Sequence, residues 1–168
     1  KMEMQSFCTT AYDQCCSANS DRSCPSRPLS VYLGIDIGTQ SVKTLLYDLD
    51  RATVHATSSE PLPLRSDRDG TREQEASWWI VALEACVARL PRAGRRAVRA
   101  VAVSGQQHGL VPLGSEDEVL APVKLWCDTT TDQQCDEITR AFGGRKHCIT
   151  SVGNAILPGY TASKIRWL

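Results

Sequence analysis

The stretch from Val31 to Tyr47 constrains this 168-residue chain more than any other. Val31-Tyr-Leu33 and Val42-Lys-Thr-Leu-Leu-Tyr47 are rich in residues that favour pleated strands. The connection between them carries Asp36, Gly38, Thr39, Gln40 and Ser41. An acid near the end of an interior strand is costly to bury unless it meets a metal or a hydrogen-bonded partner. Outward-pointing amides of such a turn make an anion nest, and Gly38 can take the positive φ that a nest often needs. Together these features point to a phosphate and Mg²⁺ site. An ordinary β-hairpin with a turn glycine would carry the same pattern, so the segment alone leaves both readings open.

Later segments narrow the choice. Val101-Ala-Val-Ser-Gly-Gln-Gln-His-Gly109 is an apolar strand running into a polar loop, and Leu125-Trp-Cys-Asp128 is a second strand end with an aromatic and an acid. Gly159-Tyr-Thr-Ala-Ser-Lys164 opens a helix. With Gly34-Ile-Asp-Ile-Gly-Thr39 ahead of them, these motifs stand in the order found in the FGGY carbohydrate kinases. The chain resembles that family, most closely its xylulokinase branch, over about residues 31 to 168. Each motif is weak alone and specific in combination.

Further elements are predicted from pattern. Strands are expected at 31–37, 42–49, 52–59, 98–104, 110–113 and 119–125, the first three as an antiparallel meander. A helix is expected over 73–90, where Trp79, Leu83, Cys86 and Leu90 share one face. Pro91 and Gly94 end it, and strand 98–104 then returns parallel to the first strand, as a helical crossover requires. A second helix, capped by Thr129 or Thr130, would run to about Phe142 and stop at Gly143-Gly144. This order suits half of an α/β, ribonuclease-H-like domain, and the resemblance implies the same actin-like ATPase fold.

The resemblance also implies roles. Asp36 would organise Mg²⁺, and Gly38, Thr39, Gln40 and Lys43 would meet the phosphates of ATP, Lys43 having solvent exposure on a strand as its alternative. Gln107 and His108 would contact the sugar; in xylulokinases the matching loop usually reads Gly-Gln-Met-His-Gly, so Gln107 exchanges a soft apolar contact for an amide. A satisfied core histidine is the alternative for His108. Trp126 would pack on the sugar and Asp128 accept its hydroxyls, with plain core packing the alternative for Trp126. The general base, an Asp later in the family's first domain, and the adenine-binding domain are expected beyond Leu168. The implied reaction is phosphorylation of a ketopentose, foremost D-xylulose, by ATP in the intact parent protein, the fragment being inactive alone. Rival readings are a non-catalytic sugar-binding remnant or interaction module, a kinase for another sugar or polyol, and an actin- or Hsp70-like ATPase.

Composition bears on partners and compartment. Formal net charge is zero, giving no electrostatic case for nucleic acid or an anionic membrane. Arg89, Arg92, Arg95, Arg96 and Arg99 lack interleaved aromatics and are read as a solvated surface; Trp78-Trp79 is read as a core anchor plus a surface contact. No apolar run approaches the ~18 residues of a membrane span. The expectation is a cytoplasmic protein whose partner is a small-molecule sugar, with a homodimer of the full-length form as the assembly to test. The eight cysteines include no Cys-x-x-Cys and no zinc-finger spacing, which favours buried or free thiols over a metal or disulfide. Residues 1–30, polar and without periodicity, are expected to be a disordered or non-native leader, leaving 31–168 as a partial N-terminal sugar-binding domain. The start at Lys1 and the uncapped helix at Leu168 suggest a fragment.

Overall fold

A computed structural model describes residues 30–168; the expected leader, with Cys8, Cys15, Cys16 and Cys24, lies outside them. Strands β1 (Val31–Ile37), β2 (Ser41–Asp48) and β3 (Thr53–Pro61) form the expected antiparallel meander. Strand β6 (Val98–Gly105) returns parallel to β1, giving the sheet order β3-β2-β1-β6. A second sheet pairs the short strands β4 (Arg65–Ser66), β5 (Arg72–Gln74) and β7 (Val123–Lys124). A three-stranded meander with a parallel fourth strand is the α/β element order expected of half of a ribonuclease-H-like domain.

Helix α1 (Ala76–Arg89) makes the crossover between β3 and β6 and covers one face of the large sheet. Alternation along β2 decides which face: Val42, Thr44, Leu46 and Asp48 are buried, whereas Lys43 and Leu45 are exposed. Val42 packs with Leu62, Ala82 and Cys86, flanked by Trp78, Trp79 and Leu83; Val31 packs with Leu46 and Leu90. The short α2 (Arg92–Arg96) then turns the chain, with buried Gly94 against Leu46 and His55. The opposite sheet face, carrying Asp36 and Lys43, is open.

The predicted helix over 73–90 starts too early. Residues 72–74 form β5 instead, because Glu73 pairs with Lys124 and Gln74 with Val123 across the small sheet. The strands expected at 110–113 and 119–125 reduce to isolated bridges, Leu110 with Lys124 and Leu113 with Val119, plus β7 itself. The second predicted helix is α3 (Asp132–Ala141), stopped by Gly143 and Gly144 at positive φ. Thr131 precedes it but caps nothing; its hydroxyl meets Ser163 Oγ at 2.9 Å. Helix α4 (Arg145–Val152) was not foreseen, while α5 (Thr161–Trp167) opens within the fourth motif as expected. Cys86, Cys127, Cys135 and Cys148 are free thiols.

Leu46 is fully enclosed where the meander, α2 and the end of α1 meet. Leu46→Ala is expected to lower unfolding stability by about 2–5 kcal/mol, since neighbours on three elements cannot all collapse into the gap. Equilibrium urea denaturation measures this. A loss below about 1 kcal/mol would mean that the neighbours of Leu46 do collapse into the space it leaves.

Candidate active site

The β1–β2 hairpin is pinned from several sides. The Gly38 amide donates to Ser41 O at 3.1 Å, Gln40 O accepts from Leu62 N at 2.9 Å, and Thr39 O accepts from Gln74 Nε2 at 2.8 Å. Gly38 does not have the positive φ that an anion nest would use. Its glycine requirement is one of space: a Cβ there would lie 3.3 Å from Ser41 O. Nor is its amide turned outward, because Ser41 has it.

Asp36 corrects a premise of the sequence reading. It is exposed, not buried, on the sheet face away from α1. Sheet register places Ser104 of β6, Asp36 of β1, Lys43 of β2 and Ser59 of β3 side by side across that face. All four line a hollow of about 760 Å³, floored by Gly34 and Ala102. Among the described residues no hydrogen bond or ion pair engages the side chain of Asp36 or Lys43, and no cluster of three or more metal-ligating side chains exists. One free carboxylate beside a lysine fits a cation that brings most of its own oxygen ligands, as Mg²⁺ does with water and phosphate.

The polar loop follows from the end of β6. Ile37 O accepts the Gln106 amide at 2.9 Å, so the loop leaves the sheet beside the hairpin tip. Gln107 and His108 are exposed, and His108 has φ 63°, a left-handed backbone unusual outside glycine. His108, Gly109, Gln106, Ser104 and Trp79 border a cleft of about 290 Å³. Val103 and Ser104 of β6 line both hollows, the larger on the open face and the smaller on the side of Trp79, toward the carboxyl end of the strand. That is where open α/β sheets receive ligands.

A buried amide ties these pieces together. Gln74 Nε2 donates to Thr39 O and Pro63 O, at 2.8 and 2.7 Å, while its Oε1 accepts from Trp79 Nε1 at 2.9 Å and Gln106 Nε2 at 3.3 Å. Thr39 Oγ1 donates to Gln106 Oε1 at 2.9 Å and accepts from Trp126 Nε1 at 3.0 Å. The half-exposed Trp126 is thus drawn to the hairpin tip, as an accessible indole and not as core packing. Gln74 and Gln106 were assigned no role from sequence; their partners lie as far as 67 residues away, and a lone glutamine gives no local signal.

Asp128 does something other than expected. It is fully buried in a turn closed by its own amide to Leu125 O, so the strand does not continue through Cys127. Its Oδ1 accepts from the Thr130 amide and hydroxyl at 3.0 and 2.6 Å; its Oδ2 accepts from the Arg72 amide at 2.8 Å and faces Lys124 Nζ at 3.5 Å. Lys124, also buried, donates to Glu73 Oε1 at 3.0 Å and stands 4.4 Å from the Trp167 ring centre. No oxygen of Asp128 is left to meet a sugar. Burial alone would raise its pKa, but the bonds from Thr130 and the Arg72 amide, with the charge of Lys124, hold it below the usual carboxylate value.

The protein-family model for the N-terminal domain of the FGGY family of carbohydrate kinases matches residues 31–168. The xylulose kinase of Haemophilus influenzae is 35% identical over 144 residues, covering 82% of this chain and 29% of the relative. A solved structure described as a xyloylose kinase from Brucella ovis superposes with a TM-score of 0.73 at 32% identity, covering 82% of this chain and 28% of the other. The gluconate kinase of Lactobacillus acidophilus superposes with a TM-score of 0.71 at 24% identity, covering 83% and 28%, a likeness of fold alone. The chain therefore spans less than a third of the length of these relatives.

Removing the Asp128 carboxylate leaves the Arg72 and Thr130 amides without a partner in the interior and takes from Lys124 one of its two carboxylates. Asp128→Ala is expected to cost about 3–5 kcal/mol. Because the folded-state pKa is depressed, the stabilisation is complete above the ordinary carboxylate pKa of about 4 and is lost as pH falls through the folded value. Urea denaturation from pH 6 downward should show an acid-side decline that the variant lacks. An equally steep decline in Asp128→Ala would assign it to other carboxylates.

Proposed function

Because this chain belongs to the FGGY family of carbohydrate kinases, we propose that it supplies the sugar loop and phosphate hairpin of an ATP-dependent kinase for a ketopentose, foremost D-xylulose. The observation that carries the reading is the register row Ser104–Asp36–Lys43, which opens beside the exposed His108 loop at one end of two parallel strands. Phosphoryl transfer asks a protein mainly for positioning and charge stabilisation, with a group to accept the hydroxyl proton. Asp36 is the residue that would hold Mg²⁺, which would supply positive charge to offset that of the phosphates. Lys43 adds a cation on the same face, and Thr39 and Gln40 border the transferring group from the hairpin tip.

Gln107 and His108 orient the sugar, and the Trp126 indole offers it an apolar face. Asp128 serves by keeping the turn that presents Trp126, not by touching substrate. The proton acceptor and the adenine site belong to the part of the relatives that this chain does not span. The reading places the protein in the cytoplasm, where ATP is available, and leaves a homodimer of the full-length form as the assembly to test; no helix among the described residues is long and apolar enough to cross a membrane.

The Gln107 amide, standing where the resemblance leads one to expect methionine, keeps other ketoses and polyols in contention. The test is ATP-dependent phosphorylation of a sugar panel by the full reading frame, with this chain as control. Turnover is expected with D-xylulose for the long form only. Asp36→Ala should lower kcat by about a hundredfold or more while leaving the fold intact, as loss of a metal-organising carboxylate does. Turnover of another sugar would move the substrate; none from either form would favour a non-catalytic sugar-binding remnant.

A further inference from the structure

The fourth motif, Gly159 to Lys164, has been given no task, yet it reaches the sugar loop. The Tyr160 ring stands against the His108 imidazole edge-on, with ring centres 4.9 Å apart and planes at 85°. The two residues are 52 positions apart in sequence. Asn154 Nδ2 donates to the Tyr160 hydroxyl at 2.9 Å, holding the far end of the same ring.

The backbone under Tyr160 is anchored independently of the loop. Lys164 is fully buried, and its ammonium donates to Pro158 O at 2.7 Å and Tyr160 O at 3.3 Å. Burial lowers its pKa, partly offset by the charge of Asp128. Ser163 bonds Thr131, Arg166 pairs with Glu137, and Trp167 lies beside Lys124. Gly159 packs so tightly that an added Cβ would lie 3.1 Å from Trp126 O. Tyr160 is therefore fixed to the body of the domain, whereas His108 sits in an exposed loop at a left-handed φ of 63°. Left-handed backbone is costly for a residue with a Cβ and persists where surroundings over-determine it.

We propose that Tyr160, held by Asn154 and Lys164, is a positioning residue that sets the orientation of His108 and through it the affinity for the sugar. The proposal rests on the reading of His108 as a sugar contact. The edge-on ring occupies one side of the imidazole and leaves the remainder to face the cleft. Tyr160 acts on binding of the sugar and not of the nucleotide.

The experiment is a double-mutant cycle in the full reading frame, with His108→Ala, Tyr160→Leu and the pair, reading KM for sugar and for ATP separately. An edge-to-face aromatic pair accounts for about a three- to tenfold rise in sugar KM on Tyr160→Leu, with ATP KM within about twofold. In the His108→Ala background the same change is expected to add no more than about twofold. Multiplying losses, or a Tyr160→Leu protein with unchanged sugar KM, would overturn the proposal while His108→Ala alone still upholds the sugar reading. An unchanged sugar KM in His108→Ala would sink both. The His108 ring-proton shifts in NMR give a readout that needs no turnover: they should move in Tyr160→Leu and stay near wild type in Tyr160→Phe. Shifts that do not respond to loss of the ring also overturn it, and Tyr160→Met, which removes the ring but keeps the bulk, is read in the same way if the leucine variant fails to fold.

Discussion

The parallel pairing of β1 with β6 is the constraint on which the rest depends. Parallel neighbours need a long crossover, and α1 provides it while burying one face of the sheet. The same pairing sets Asp36 beside Ser104 and Ile37 beside Gly105, so the hairpin and the polar loop leave the sheet at the same end. A register slip by one residue would turn Asp36 toward the helix and Ile35 toward the open face. The burial of Val42 and Leu46 opposes that slip, because β2 can bury those residues in only one register. Hydrophobic packing on one face thereby places charge on the other.

Polar side chains then fasten the loops to this frame. Gln74 joins the hairpin tip, the start of the polar loop and α1 through one buried amide, and leaves neither end of that amide unsatisfied. The Glu73–Lys124–Asp128 group does the same for the turn carrying Trp126. Such a group is not strong evidence of stability, since desolvation offsets much of its attraction. Its effect is specificity: few other arrangements of these loops would give Lys124 two carboxylates and Asp128 four donors.

Elements built on local repetition were legible in the residues. The meander, the α1 face of Leu83 and Cys86, the parallel return of β6 and the glycine stop after α3 follow from periods of two and 3.6 residues and from turn chemistry. The start of α1 was misplaced because Glu73 and Gln74 suit a helix equally well until Lys124 and Val123 pair with them, about fifty residues later. The strands expected near 110–125 carried apolar residues but not the partners to extend a ladder.

By itself the sequence determined the order of its motifs, and with it the family, the sheet and the residues available for chemistry. Only the tertiary structure decided which acids stay available. Asp36 and Asp128 each end a motif-bearing strand or turn, yet one faces the open hollow and the other is sealed by Arg72 and Thr130. The physical reason is that a carboxylate's availability depends on whether donors surround it. The Arg72 amide reaches Asp128 across 56 residues of chain, a distance that no local pattern spans.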